Sequence, residues 1–249
     1  MTDHIQRAGP RDRPFLVWLG KAALILSAIF PILALFGPAP DTMLLIWPAF
    51  VLVWFWRAPL SRMAARLPWP PTLTLILAFI LTGLVTEVLA WSSDVLRGAD
   101  IPVTFHPQLL VDLTLAIGFY GGLGIGWAIL RRYFHFSLWQ IFLISALYGV
   151  VIEQDGAIAM FLVSNILSSP LEALLFATYV ALVYGAFATL PFAIINPSLP
   201  GTSRSWGRTP LALTFAILFP RLGFALIMGL WALVGGLPAP RSALEYPLW

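Results

Sequence analysis

The chain consists of long apolar runs separated by short stretches that are rich in proline, arginine and other polar residues. A helix that crosses a membrane needs about 20 mainly apolar residues. The pattern predicts seven such segments, which are residues 15–36, 42–56, 71–91, 108–130, 137–153, 171–195 and 210–237. The second segment is short and contains Pro48, which removes a hydrogen bond from a helix interior.

The apolar stretch 157–169 follows the fifth segment and is shorter than a span. As a helix it would be only about 20 Å long, against roughly 30 Å of hydrocarbon in a bilayer. We interpret it as an interfacial or re-entrant segment, with an eighth span as the alternative. No insertion is large enough to fold separately, so residues 1–249 are predicted to form a single transmembrane helical domain.

The arginines predict the orientation of these segments. Ten of them fall at one set of segment ends, namely Arg7, Arg11, Arg13, Arg57, Arg62, Arg66, Arg131, Arg132, Arg204 and Arg208. The opposite ends hold two, Arg97 and Arg241. Because basic loops stay in the cytoplasm, we predict a cytoplasmic N-terminus and an outside C-terminus. A chain rich in arginine with one lysine suits a GC-rich bacterial genome, so the expected location is a cell membrane, the bacterial inner membrane.

Composition supports the same class of protein. The chain is 60% hydrophobic and 10% charged, and its mean hydropathy is +0.90. Soluble domains average roughly 45–50% apolar and about 25% charged residues. The predicted fold class is therefore all-α, a polytopic integral membrane protein with about seven transmembrane helices.

Composition also removes several classes of function. There is no cysteine, which excludes disulfides, thiolate nucleophiles and cysteine-bound metals. The three histidines, His4, His106 and His135, are too scattered for a multi-histidine metal site. The net charge of +3 comes from arginines at segment ends, so we expect contact with membrane lipids and no binding of nucleic acid.

Three carboxylates fall at a similar depth in the predicted arrangement. Glu87 and Asp112 each lie about four residues below the outer surface, and Glu153 ends the fifth segment. At about 1.5 Å per residue, the three lie within roughly 6–8 Å of one another in depth. Gln154, Asp155 and His106 lie at or just above that level. The spacing predicts an acidic pocket in the outer leaflet.

Arg221 lies near the middle of the last predicted segment. An ionised side chain at the membrane centre costs about 2.5 kcal/mol or more, so Arg221 is expected to face protein and to pair with an acid. Glu87, Asp112 and Glu153 are the candidates. The pocket hypothesis therefore includes Arg221, and its alternative is that one such pair merely locks two helices together.

A glycine face is predicted along the fourth segment. Gly118, Gly122 and Gly126 recur every four residues, which lets a neighbouring backbone approach closely. Gly83 and Gly121 suggest that the third and fourth segments also pack tightly. A lipid or cofactor slot against the glycines is the alternative, and no nucleotide-binding fingerprint is present because no strand precedes these glycines.

Three functions remain open from the sequence. The first is an ion- or proton-coupled carrier of a small or lipid-like substrate. The second is a membrane-embedded enzyme that acts on a lipid or membrane peptide, with Glu87, Glu153 and Asp155 as acid–base groups, or with His106 and two carboxylates around a metal. No hydrolase or metallopeptidase motif supports it. The third is a non-catalytic subunit or assembly factor, with membrane-protein partners or further copies of the chain. No motif identifies a cofactor.

Overall fold

The computed structural model describes residues 43–195 and 206–249, together with Trp18 and Lys21. Within this part of the chain the regular structure is helical and contains no strand, which confirms the all-helical prediction. The helices are α1 (Met43–Phe55), α2 (Arg57–Ala64), α3 (Pro71–Leu96), α4 (Leu109–Tyr133), α5 (Leu138–Val151), α6 (Ala157–Asn165), α7 (Pro170–Ile195) and α8 (Thr209–Leu233). Short 3-10 turns occupy Glu153–Gly156 and Trp206–Arg208.

Four of the described helices, α3, α4, α7 and α8, are long and apolar enough to cross a membrane. They match four predicted segments to within about five residues. The shorter apolar helices α1 and α5 contain 13 and 14 residues, so seven spans are not confirmed. Apart from Trp18 and Lys21, the predicted first segment lies outside the described residues. The orientation of the termini stays a prediction.

The helix starts follow local sequence signals. Pro71 occupies the first turn of α3, where its missing N–H breaks no helical bond. Ser137 caps α5 through a reciprocal pair of bonds: the amide of Gln140 donates to the Ser137 hydroxyl at 3.2 Å, and the Ser137 amide donates to Gln140 Oε1 at 3.0 Å. These signals account for the starts of α3 and α5.

Five helices of the described chain pack in a ring around aromatic side chains. In order, neighbours around the ring are α3, α4, α8, α5 and α7, and α7 closes it against α3. The ring encloses an aromatic core of Phe79, Trp127, Phe187 and Phe192, in which Phe79 lies edge-on to Phe187 and Phe192 and Trp127 lies edge-on to Phe192. All four are buried. Arg131, near the end of α4, places its guanidinium 4.8 Å from the centre of the Phe192 ring.

The glycines of α4 bring two helices into backbone contact with it. A Cβ added at Gly118 would lie 2.5 Å from the carbonyl oxygen of Gly223 in α8, and one at Gly122 would overlap the Phe219 carbonyl. Around the helix, a Cβ at Gly124 would lie 3.0 Å from the Cα of Ile76 in α3. The structure therefore bears out the close backbone packing predicted from the glycine spacing, against α3 as well as α8.

The two ends of the bundle differ. One end, called the basic end below, holds α2 and the end of α4, with Arg132 and Arg208; Arg208 lies 4.5 Å from the Phe134 ring. At this end burial lowers the pKa of Arg57, which donates to the Trp54 carbonyl at 2.8 Å. The other, called the capped end, is covered by the loop 97–108 and the C-terminal segment 234–249.

The arm formed by α5 and α6 is broken in the middle. Asp155 and Gly156 adopt positive φ values of 54° and 81°, a conformation that Asp tolerates and glycine favours. Beyond the break, Phe161 of α6 packs on Phe176 of α7, while Gly149 of α5 lies against Tyr184. Residues 157–165 belong to the stretch that we interpreted as interfacial or re-entrant. In the structure they continue alongside α7.

Candidate functional site

Glu87 lies deep within the described helices and has a side-chain partner on a neighbouring helix. It projects from α3 and is 8% exposed. The Tyr120 hydroxyl of α4 donates a hydrogen bond of 2.5 Å to Glu87 Oε1. Because the two residues belong to adjacent candidate spans, this bond joins two long helices well inside their apolar lengths.

Tyr120 is held by aromatic and glycine neighbours. Its ring centre lies 5.1 Å from that of Phe187 in α7 and 5.2 Å from that of Phe119. Gly83, one turn before Glu87, leaves the space that the Tyr120 ring fills, since an added Cβ would overlap that ring. The phenol is thus directed at Glu87 by packing, with the aromatic core closing the basic-end side.

Asp112 lies in the first turn of α4 and is fully buried. The backbone amide of His106 donates to its Oδ1 at 3.1 Å. Thr104 and the Phe105 backbone also face this carboxylate. Its Oδ2 is buried and has no hydrogen-bond partner among the described residues. Asp112 therefore holds the loop that precedes its own helix.

His106 joins that loop to the C-terminal segment. The Gln108 amide donates to its Nδ1 at 3.2 Å, and its Nε2 lies 3.1 Å from the Pro238 carbonyl. Since a carbonyl only accepts, Nε2 carries the proton and Nδ1 is the acceptor, which assigns a neutral tautomer. Both ring nitrogens are used in holding backbone, so neither is left for a metal ion.

Gln108 completes the capped end. It is fully buried, and its Nε2 donates to the carbonyls of Arg241 and Tyr246 at 3.0 and 3.1 Å. The amides of Leu109 and Leu110, at the start of α4, donate to the carbonyls of Pro247 and Leu248. The C-terminal segment thus supplies acceptors to the otherwise unpaired N–H groups at the start of α4.

Glu87 and Asp112 are at similar depths but in different surroundings. The contacts of Gly83 with Tyr120 and of Gly124 with Ile76 set the antiparallel register of α3 and α4. In this register Asp112 lies about one helical turn, roughly 5–6 Å, closer to the capped end than Glu87. The carboxylate of Glu87 accepts from Tyr120, whereas the carboxylate of Asp112 accepts from the loop.

The remaining acids of the predicted pocket belong to the broken arm. Asp155 is exposed, and the side chains of Glu153 and Gln154 lie outside the described part of the structure. The break lies beside α7 at a level between Phe176 and Tyr184. It therefore falls inside the length of the bundle, whereas the sequence analysis placed these residues at its outer end.

Arg221 is separated from these groups. It is exposed on α8, whereas the sequence analysis expected it to face protein. Among the described residues no carboxylate forms an ion pair with it, and the face of α8 that meets α4 is formed by Phe219, Gly223 and Ile227. A single pocket that unites Glu87, Asp112, His106, Arg221 and the residues 153–155 stays a prediction.

The described side chains contain no group of three histidine, aspartate or glutamate residues that could hold a metal ion. Together with the two engaged ring nitrogens of His106, this gives no support to a site formed by that histidine and two carboxylates. Acid–base chemistry at Glu87 needs no metal, because a carboxyl beside a phenol can itself gain and lose a proton.

Several groups of the site were missed in the sequence analysis. No sequence pattern singled out Tyr120, although its hydroxyl is the kind of group that a buried acid needs. Asp94, 2% exposed, accepts from the Val103 amide at 2.8 Å and anchors the loop 97–108. Asp94 lies near the end of an apolar run, and the turn before it contains no basic residue. This pattern could have revealed it in the sequence.

No family model, no curated protein and no solved structure matches this chain.

Proposed function

We propose that the protein is a proton-coupled carrier of a small or lipid-like substrate and that Glu87 binds the coupling proton. The main support for this proposal is the buried Glu87–Tyr120 pair between two candidate spans. An ionisable side chain inside a membrane helix is by default a candidate for a proton relay or an ion pathway. The broken arm at residues 153–156 supports the same function, since discontinuous helices form substrate sites in many carriers.

The chemistry at Glu87 is a change of charge coupled to a change of partner. The protonated carboxyl is neutral and can stay in an apolar interior, whereas the carboxylate must keep strong donors such as the Tyr120 hydroxyl. Proton binding therefore changes how firmly α3 is held to α4. A carrier needs such a coupling, because ligand binding must favour one arrangement of the helices over another.

Transport is tested in proteoliposomes that contain a pH-sensitive dye. A panel of small organic cations, anions and single-chain amphiphiles is added with and without an imposed pH gradient. We expect gradient-driven uptake with at least one member and its loss in Glu87→Gln. That variant has the same shape and keeps an acceptor for Tyr120, so it should fold normally. Glu172→Gln, which changes an exposed acid, should transport as the unaltered protein does.

Proton binding is tested independently of the substrate. Infrared difference spectra recorded across a pH titration report the carbonyl stretch of each protonated carboxyl. We expect one titrating band that is absent in Glu87→Gln and present in Glu172→Gln. A spectrum in which Glu87→Gln removes no titrating band would show that Glu87 serves only to join α3 and α4.

A further inference from the structure

Arg221 lies on an exposed, otherwise apolar face of a candidate span. The face is formed by Leu218, Leu222, Leu226 and Leu230, which are 46%, 54%, 65% and 52% exposed, and is called the leucine face. Arg221 is adjacent to Leu222 and one turn from Leu218, and it is also exposed. A leucine face alone would suit lipid, so the arginine is the feature that needs an explanation.

The depth of Arg221 makes snorkelling an incomplete answer. It is the central residue of α8, with twelve residues on either side within Thr209–Leu233. At about 1.5 Å per residue it lies roughly 18 Å from each end of the helix, which exceeds the reach of an arginine side chain. A lipid phosphate cannot reach that depth without a strong local deformation of the bilayer. The counter-charge is therefore expected from protein.

Among the described residues of this chain, no carboxylate forms an ion pair with Arg221. Glu87 is buried against Tyr120, and the exposed acids Asp155 and Glu172 lie nearer the capped end, beside the first half of α7. Residues 13–40, which contain the predicted first segment, include no aspartate or glutamate. A second copy that packs its own leucine face here about a two-fold axis would bring Arg221 against Arg221.

We propose that the leucine face docks a membrane-spanning helix of another protein that carries an aspartate or glutamate near its middle. Arg221 forms an ion pair with that carboxylate, and the leucines pack around it. Charge complementarity carries this assignment, because a neutral partner would leave the guanidinium buried without a counter-charge. The docking surface is separate from Glu87, so it holds whether or not the protein is a carrier.

The test uses three synthetic spanning peptides of leucine and alanine with flanking lysines. Their central residue is glutamate, glutamine or lysine. Labelled protein and each peptide are reconstituted into the same vesicles, and association is measured by energy transfer. We expect the glutamate peptide to bind roughly tenfold more tightly than the glutamine peptide, the scale of one favourable polar contact between spanning helices. Arg221→Leu should remove this preference, and Arg221→Glu should transfer it to the lysine peptide.

The controls separate this proposal from its competitors. Arg62→Leu removes an exposed arginine at the basic end and should keep the preference for the glutamate peptide. Equal binding of the glutamate and glutamine peptides to the unaltered protein would overturn the proposal. Energy transfer between two labelled copies that disappears in Arg221→Leu would also overturn it, because the occupant would then be a second copy.

Discussion

Glu87 and Asp112 are two buried acids on adjacent helices whose carboxylates have different hydrogen-bond partners. Both are acids near the ends of adjacent apolar runs, and both are buried. Glu87 accepts from the Tyr120 side chain of another helix, whereas Asp112 accepts from the backbone amide of His106, six residues before it. One acid joins two helices, and the other holds a loop to the start of a helix.

This difference shows that depth alone does not identify a functional acid. A carboxylate that accepts from the backbone amide of the preceding loop holds that loop against the start of its own helix. A carboxylate that accepts from a side chain of another helix can lose that donor when its charge or the helix spacing changes. The comparison therefore separates a stabilising acid, Asp112, from the acid proposed to bind a proton, Glu87.

The largest expected effect on stability comes from Asp112→Ala. It removes the acceptor of a buried amide and leaves a void, so we expect the free energy of unfolding to fall by about 2–3 kcal/mol. Unfolding in mixed micelles measures the loss, and hydrogen exchange should rise in residues 234–249, which the same loop holds through His106.

Glu172→Ala, at an exposed site, is the matched control and should leave stability nearly unchanged. If Asp112→Ala were as stable as this control, Asp112 would not hold the capped end. The contrast with Glu87 would then disappear.

A smaller effect is expected from the Glu87–Tyr120 pair. Tyr120→Phe removes one hydrogen bond and should lower the free energy of unfolding by about 1 kcal/mol. The cycle of Tyr120→Phe, Glu87→Gln and the double variant isolates the coupling between the two side chains. We expect a coupling that weakens when the pH is lowered far enough to protonate Glu87. A coupling that is independent of pH would argue against a titrating carboxyl.

Much of the helical framework could be predicted from apolar length. The segments 71–91, 108–130, 171–195 and 210–237 correspond to α3, α4, α7 and α8 because a long apolar run has few alternatives to a spanning helix. The glycine spacing likewise predicted close packing, since Gly118 and Gly122 leave only backbone on one side of α4.

The rotation of each helix could not be predicted in the same way. Lipid-facing and core-facing positions are both apolar in a spanning helix, so periodicity carries little information about which side is buried. The cost of a charge in lipid predicted that Arg221 faces protein, and periodicity could not show that α8 turns it outward. The role of Tyr120 could not be predicted for the same reason. Its hydroxyl has a partner only because α3 places Glu87 opposite it.

Contacts made by irregular segments were also beyond the sequence. Nothing in residues 234–249 indicates that their carbonyls pair with Gln108 and with the start of α4, because backbone acceptors are common to every residue. The break near Asp155 falls between the predicted segment 137–153 and the stretch 157–169. Its level beside α7 depended on the packing of Phe161 against Phe176, which no local pattern specifies.

The smallest predicted effect provides the baseline for the comparison. Trp231 Nε1 of α8 donates to Thr114 Oγ1 of α4 at 2.9 Å, a neutral bond between two candidate spans. Such bonds average about 0.6 kcal/mol in membrane proteins, so Thr114→Val should lower the free energy of unfolding by about that amount at every pH. Thr214→Val, which alters an exposed threonine of α8 that bonds only within its own helix, is the control.

If Tyr120→Phe proved no more costly than Thr114→Val and equally independent of pH, the Glu87–Tyr120 bond would be ordinary helix packing. A larger, pH-dependent cost would set the Glu87–Tyr120 bond apart from the neutral Trp231–Thr114 bond, as a proton-binding acid requires.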